Sequence, residues 1–141
     1  MKKLRVKISV SNEGKSKKYV TFSFDKMLNE GNYSFEFFKK NKRDHIQAYQ
    51  DLLNRFQELS RFAVLDLMLL DKKQGYELIN VSELKANIQN HLEKNGITKD
   101  SKVAIFRFSS SQKYRIVCHM VDNVFHVLAF DFDHSAYNHG S

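Results

Sequence analysis

Side chains suited to phosphate chemistry are concentrated in the last third of the chain. They are Arg107, Arg115, His119, His126, His134 and Tyr137. Arginine presents a planar fork of donors that matches phosphate oxygens and stays charged at any physiological pH. Histidine exchanges protons near neutral pH. These residue types together fit a site that holds a phosphate and transfers protons beside it.

The same part of the chain shows the alternation of apolar and polar residues that is typical of half-buried strands. The three alternating segments are 102–108, 114–121 and 124–131. A five-residue loop separates the first two segments, and the two-residue turn Asp122-Asn123 separates the last two. Because such short connections favour antiparallel hairpins, we predict a C-terminal three-stranded antiparallel meander.

The two connections also predict which residues face each other across the meander. The expected pairs are Arg107 with Arg115, Val121 with Val124, His119 with His126, Val117 with Leu128, and Arg115 with Phe130. Since side chains alternate between the two faces of a sheet, both arginines and both histidines are predicted to share one face. Two arginines directly opposite each other repel, so this pair calls for a neighbouring carboxylate or an anionic ligand such as phosphate.

The tail after the last strand carries a second polar group, which comprises Asp131, Asp133, His134, Tyr137 and His139. Carboxylates and imidazoles suit transition-metal ions, but their spacing here matches no zinc motif. We therefore predict no metal site. We expect the chain to leave the last strand at Asp133 and to fold His134 and Tyr137 back over the sheet edge, close to the two arginines.

Upstream of the meander, the pattern predicts a hairpin followed by helices. Residues 4–10 and 19–24 alternate on either side of the turn residues 11–14, as in a β-hairpin. Asp44 is expected to cap a helix that runs through Leu59 or further. The predicted apolar stripe of that helix is Ile46, Tyr49, Leu52, Leu53, Phe56 and Leu59.

A second helix is predicted from the cap Ser82 to the stop signal Asn95-Gly96. The nearly uninterrupted apolar segment 62–70 is predicted to lie beneath the rest of the fold, either as a continuation of the helix that Asp44 caps or as a further helix turned back on it. The sequence thus predicts an α+β protein with an N-terminal β-hairpin, two or three helices and the C-terminal meander packed on them. At 141 residues with 42% apolar side chains, a single domain over 1–141 is expected.

The helical segment and the strands VAIFRF, KYRIVCHMV and VFHVLAFDFDHSAY together resemble the RelE/ParE superfamily of bacterial toxins over residues 44–137. The resemblance implies a toxin that cuts mRNA, often on the ribosome, and that a small antitoxin protein neutralises. By that likeness Arg107 and Arg115 would bind and stabilise the phosphate. One of His119, His126, His134 or Tyr137 would transfer protons. RNA carries its own nucleophile, the 2′-hydroxyl, so such an endoribonuclease needs neither a metal nor another cofactor.

Charge is distributed unevenly along the chain, whose formal net charge is +7. Residues 1–43 hold twelve Lys and Arg against four Asp and Glu, whereas residues 44–141 hold eleven against twelve. This imbalance is typical of proteins that meet phosphates or acidic partners. The candidate nucleic-acid-binding residues are Lys15, Lys17, Lys18, Lys39, Lys40, Lys42 and Arg43. Lysines at a strand edge equally serve to keep that edge solvated.

The basic segment also supports an alternative function, a non-catalytic module that binds nucleic acid or an acidic protein, such as a phage or mobile-element inhibitor. In that case the aromatic residues among the lysines would stack on bases. These aromatic residues are Tyr33, Phe35, Phe37 and Phe38. The sequence leaves both functions open.

Several classes of protein lack support in the sequence. There is no glycine-rich phosphate loop, dinucleotide fingerprint or nucleophile elbow. No apolar run is long enough to cross a membrane, and the basic N-terminus lacks the apolar centre of a signal peptide. The single cysteine, Cys118, falls on the predicted core face and agrees with a reducing compartment. We therefore predict a cytoplasmic protein with no membrane partner.

Overall fold

Five strands form one mixed β-sheet in the computed structural model, which describes residues 18–41, 44–70, 76–109 and 113–138. They are β1 (Thr21–Ser23), β2 (Tyr76–Asn80), β3 (Lys102–Phe108), β4 (Tyr114–Val121) and β5 (Val124–Asp131). The spatial order is β1-β5-β4-β3-β2. Strands β3, β4 and β5 form the antiparallel meander that the sequence predicts, and β2 extends it.

The predicted N-terminal hairpin is not evident in the structure, which describes only the segment predicted as its second half. That half contains β1, which pairs in parallel with β5 at the edge of the sheet. The first half, residues 4–10, lies outside the described residues. The position of β1 at the sheet edge brings the chain that follows it close to β5 of the meander.

Four helices accompany the sheet: α1 (Phe37–Lys40), α2 (His45–Ser60), α3 (Val64–Leu67) and α4 (Ala86–Lys94). Asp44 caps α2 as predicted, because its side chain accepts a hydrogen bond from the Gln47 backbone N–H at 3.0 Å. Ser82 does not cap α4, since it lies in a separate 3-10 turn at Val81–Glu83. Helix α4 ends at Lys94 with Asn95 as its C-cap, and Gly96 follows with the positive φ of 81° that favours glycine.

Apolar side chains cover both faces of the sheet, so the meander is enclosed between two cores. The first core joins α1, α2 and α3 to the face that carries Phe106, Cys118 and Phe125. The second core joins α4 to the face that carries Val117 and Leu128. The face predicted to hold the arginines and histidines is therefore largely buried beneath the second core.

Two predictions about buried residues were wrong. In α2, Ile46 and Leu53 are 70% and 68% exposed, because the side of the helix that meets the sheet carries Ala48, Leu52 and Leu59. In the segment 62–70, Leu65 and Leu69 are 77% and 81% exposed. The short helix α3 turns only part of that segment towards the core.

A β-bulge in β5 changes the predicted register of the second hairpin. Val121 and Val124 pair as expected, but Cys118 pairs with Val127 while Val117 pairs with Ala129, which leaves Leu128 as the extra residue. The predicted pairs Val117 with Leu128 and Arg115 with Phe130 were therefore wrong. The shift moves Phe130 into the first core and places Asp131 opposite Arg115.

Candidate functional site

His119 and His126 face each other across β4 and β5, as the sequence predicts. The Cβ atoms of such directly opposed residues are about 5 Å apart. The Nδ1 atoms of both rings are buried, and neither has a hydrogen-bond partner among the described residues. Both side chains are nevertheless partly exposed. The exposed area of each side chain therefore does not belong to Nδ1.

Asp25 and Ser23 flank His126 from β1 and the chain that follows it. Ser23 is the register partner of His126 in the parallel pair of strands. The Asp25 Oδ1 atom lies 3.6 Å from His126 Nδ1, too far for a hydrogen bond but within ion-pair range when the ring is protonated. The Ser23 hydroxyl donates to the same oxygen at 2.7 Å, and this hydrogen bond is the main reason that the pKa of Asp25 is lowered.

Lys26 is a cation whose charge acts on His119. The pKa of His119 is lowered, chiefly by burial and then by the charges of His126 and Lys26. The backbone carbonyl of Lys26 is held by α4, whose His91 donates from Nε2 to that oxygen at 2.7 Å. We refer to His119, His126, Asp25 and Lys26 together as the histidine pair site. It contains a ring that stays neutral below the usual range of histidine, a second ring beside a carboxylate, and an ammonium group.

A Lys26→Gln variant is expected to raise the pKa of His119, because the variant removes one of the charges that repel the protonated ring. The pKa should remain below the ordinary 6.5, since burial is the larger cause. A proton NMR titration of the His119 ring measures this shift. Lys113→Gln is the matched control, because Lys113 lies about 20 Å away along β4. An unchanged titration in Lys26→Gln would show that the Lys26 charge does not act on His119.

The same lowered pKa has a consequence for stability. The unfolded chain binds the His119 proton at about pH 6.5, whereas the folded chain binds it only at lower pH. The contribution of His119 to stability is therefore complete above pH 6.5 and falls as the pH drops towards the pKa of the folded state.

Arg107 and Arg115 lie at the opposite end of the meander. They are register partners, as predicted. The Arg115 Nη1 atom and the His134 Nε2 atom both donate to the backbone carbonyl of Lys113, the latter at 2.9 Å. We call Arg107, Arg115, His134 and Tyr137 the arginine edge. The tail thus folds back over this end of the sheet as the sequence predicts.

Carboxylates accompany the arginine edge. Asp131 is fully buried opposite Arg115 and accepts hydrogen bonds from three backbone N–H groups of the tail. The Tyr137 hydroxyl donates to Glu77 at 3.1 Å. The pKa of Tyr137 is raised to about 12, mainly by burial and further by the Glu77 charge, while Arg115 acts in the opposite direction. Arg115 itself is only 7% exposed, whereas the buried Nε atom of Arg107 has no hydrogen-bond partner among the described residues.

The structure brings the six candidate catalytic residues together in two separate groups. Arg115 and His119 are four residues apart on β4, which corresponds to about 13 Å. Val117 lies between them and is fully buried. A single phosphate therefore cannot contact the arginine edge and the histidine pair site at once.

The candidate nucleic-acid-binding lysines and the aromatic residues among them differ in exposure and in their partners. Lys18 pairs with Asp122 at 2.8 Å, Lys39 pairs with Glu36 at 3.3 Å, and Lys40 is exposed. Tyr33 and Phe37 belong to the cores and are unavailable for stacking, whereas Phe35 and Phe38 are only partly buried. The remaining candidates lie outside the described residues, namely Lys15, Lys17, Lys42 and Arg43.

Asp25 and Lys26 were not found from the sequence. They follow a strand of three residues, and their approach to the histidines depends on the parallel pairing of β1 with β5. A carboxylate next to a lysine after a short alternating segment is too common to indicate a site. Only the pairing of strands a hundred residues apart reveals it.

The chain matches none of the protein-family models, curated proteins or solved structures with which it was compared. Within residues 18–41, 44–70, 76–109 and 113–138, no group of three or more His, Cys, Asp or Glu is arranged to hold a metal ion. None of the helices in those ranges has the length and apolarity that a membrane span requires.

Proposed function

We propose that this protein is a metal-independent endoribonuclease whose proton-transfer groups are His119 and His126. The observation that carries the proposal is the pair of facing, partly exposed imidazoles with a carboxylate and an ammonium group beside them. Cleavage of RNA by its own 2′-hydroxyl needs one group that accepts a proton and another that donates one. Histidine performs both tasks near neutral pH.

In the proposed reaction, neutral His119 takes the proton of the 2′-hydroxyl, and the 2′ oxygen forms a bond to phosphorus. The bond from phosphorus to the 5′ oxygen breaks as protonated His126 gives its proton to that oxygen. The products are a 2′,3′-cyclic phosphate and a free 5′-hydroxyl. The low pKa of His119 suits the accepting role, and Asp25 at 3.6 Å suits a partner for the charged form of His126.

Lys26 completes the proposed mechanism. The charge on the phosphoryl oxygens grows as the 2′ oxygen attacks, and a fixed cation stabilises the transition state more than the ground state. The Lys26 backbone is anchored by His91 of α4, which limits how far its side chain can move relative to His119. The arginine edge would then support the fold, since Arg115 lies opposite the buried Asp131 and donates to the Lys113 carbonyl.

An endoribonuclease of this kind would act on cellular RNA in the cytoplasm and arrest growth, as a toxin in a toxin-antitoxin or phage-defence system does. The likeness to RelE/ParE toxins favours this setting and a small antitoxin as partner. The alternative is the non-catalytic binding module, which is supported by exposed Lys40 and by partly buried Phe35 and Phe38. The two functions differ in whether the RNA is cut or only bound.

Growth of bacteria that express the chain tests the toxin proposal. Wild type is expected to stop growth, and a His119→Ala/His126→Ala double variant at equal abundance is expected to leave growth unchanged, because it lacks both proton-transfer groups. Extracted RNA from the arrested cells should carry new 5′-hydroxyl ends. Normal growth with folded wild-type protein present, and with intact RNA, would reject the toxin proposal. RNA that copurifies intact with that protein would support the binding module.

A further inference from the structure

A cavity of about 450 Å³ opens beside α1 and the start of α2. Its walls include the rings of Phe35, Phe38 and Tyr49, and its mouth carries His45 and Lys39. We call it the aromatic cavity. Its volume lies within the range of small-ligand sites, and the mechanism proposed above does not use it.

The rings that line the aromatic cavity hold one another in place. Tyr49 packs edge-on against Phe35 with ring centroids 5.1 Å apart, and against Phe38 at 5.9 Å. Phe35 is also stacked on Phe130 of the sheet at 4.8 Å. Because the rings are fixed by the core, a planar ligand that enters would meet surfaces that are already ordered, which favours binding.

The mouth of the cavity combines a cation with hydrogen-bonding groups. Lys39 has a side chain 75% exposed and pairs with Glu36 at 3.3 Å. Glu36 is further held by the Gly31 backbone N–H, which donates to it at 3.0 Å. Asn29 adds an exposed amide. Glu36 also lines the cavity and offsets the charge of Lys39, so the aromatic rings, on which a base can stack, are the main feature that favours a nucleobase.

The aromatic cavity is joined to the histidine pair site by a short stretch of backbone. Lys26 belongs to the histidine pair site, Asn29 lies at the cavity, and three residues span at most about 11 Å. Between them, the Leu28 backbone N–H donates to the Leu128 carbonyl at 2.8 Å, which fixes this stretch along β5. A single RNA strand is long enough to contact both places.

We propose that the aromatic cavity binds one unpaired base of an RNA strand whose backbone passes the histidine pair site. This inference rests on the proposed endoribonuclease function, from which it takes RNA as the ligand. A base inside a duplex is stacked and paired and cannot enter the cavity, so the substrate is single-stranded RNA. The cavity would thereby select the strand and position its phosphate for cleavage.

Binding to a short RNA that cannot be cut tests the proposal independently of catalysis. The probe is a labelled single-stranded oligoribonucleotide with 2′-O-methyl groups, and the measurement is fluorescence anisotropy. Phe38→Leu, which keeps an apolar side chain but removes the ring, is expected to weaken binding about tenfold. Tyr19→Leu is the matched control, because Tyr19 is an exposed ring outside the cavity. The duplex of the same sequence is expected to bind much more weakly than the single strand.

Removal of single bases from the probe gives a second measurement that needs no variant. One abasic position should weaken binding to wild type about tenfold and should have little further effect in Phe38→Leu. Equal binding of every abasic probe, or of Phe38→Leu and wild type, would overturn the base site. If Phe38 affects binding but the cleavable RNA stays intact, the base site stands and the endoribonuclease proposal fails. If RNA is cut but neither binding nor cleavage depends on Phe38, the endoribonuclease proposal stands and the base site fails.

Discussion

Cleavage of RNA by the purified protein is expected to fall by about 10²- to 10⁴-fold when His119 or His126 is replaced by alanine, because each change removes one proton-transfer step. The measurement is single-turnover cleavage of a labelled oligoribonucleotide, with a thermal melt of each variant to verify the fold. A chelator should leave the wild-type rate unchanged. Wild-type rates in both alanine variants would contradict the assignment of the histidine pair site.

The two histidines can be distinguished by the leaving group. A ribonucleotide ester that releases nitrophenolate needs no proton on the departing oxygen, so His126→Ala is expected to cleave it nearly as fast as wild type. His119→Ala should remain slow, because the 2′-hydroxyl still has to lose its proton. The opposite result would exchange the two roles. Loss of activity in His134→Ala, with both other variants active, would move catalysis to the arginine edge.

Arg115→Ala is expected to lower the free energy of unfolding by about 3 kcal/mol, because it leaves buried charge without its partner. Asp131 lies opposite Arg115 and has no exposed surface. Tyr137 connects Glu77 to Arg115. Urea denaturation measures the change. The exposed residue Arg61 provides a matched control, since Arg61→Ala should shift stability by no more than about 0.5 kcal/mol.

The cleavage rate of Arg115→Ala, measured at a temperature where the variant is folded, should stay close to that of wild type. The reason is the separation of about 13 Å between Arg115 and His119. A stable Arg115→Ala variant that no longer bound RNA would instead place the phosphate site at the arginine edge.

Local signals in the sequence were sufficient for the meander and for much of its pairing. The alternation of residues and the turn Asp122-Asn123, whose first residue has a φ of 58°, place His119 opposite His126. The loop after β3 places Arg107 opposite Arg115 in the same way. These features depend on neighbours within about twenty residues, where side-chain period and turn geometry determine the outcome.

Helix α2 shows the limit of such local signals. Its cap Asp44 was predictable, because capping depends on residues three positions apart. The predicted apolar stripe is wider than the side of the helix that packs against the sheet. The sequence did not indicate that Ile46 and Leu53 would be exposed. Which part of a stripe is buried depends on the angle at which the helix meets the sheet, and that angle is a property of the packed structure.

The bulge at Leu128 and the parallel pairing of β1 with β5 were decided by tertiary structure alone. No glycine or turn residue marks Leu128, yet the extra residue there turns Asp131 towards Arg115 and Phe130 towards the first core. The strand β1 has three residues and pairs with a strand a hundred positions away, and that pairing brings Asp25 beside His126. The sequence by itself therefore determined that the two histidines meet. Asp25 and Lys26 reach the histidines only through contacts between residues far apart in the sequence. Closing the long loops between such residues costs conformational entropy, and packing of the core offsets that cost. No local pattern in the sequence therefore encodes these contacts.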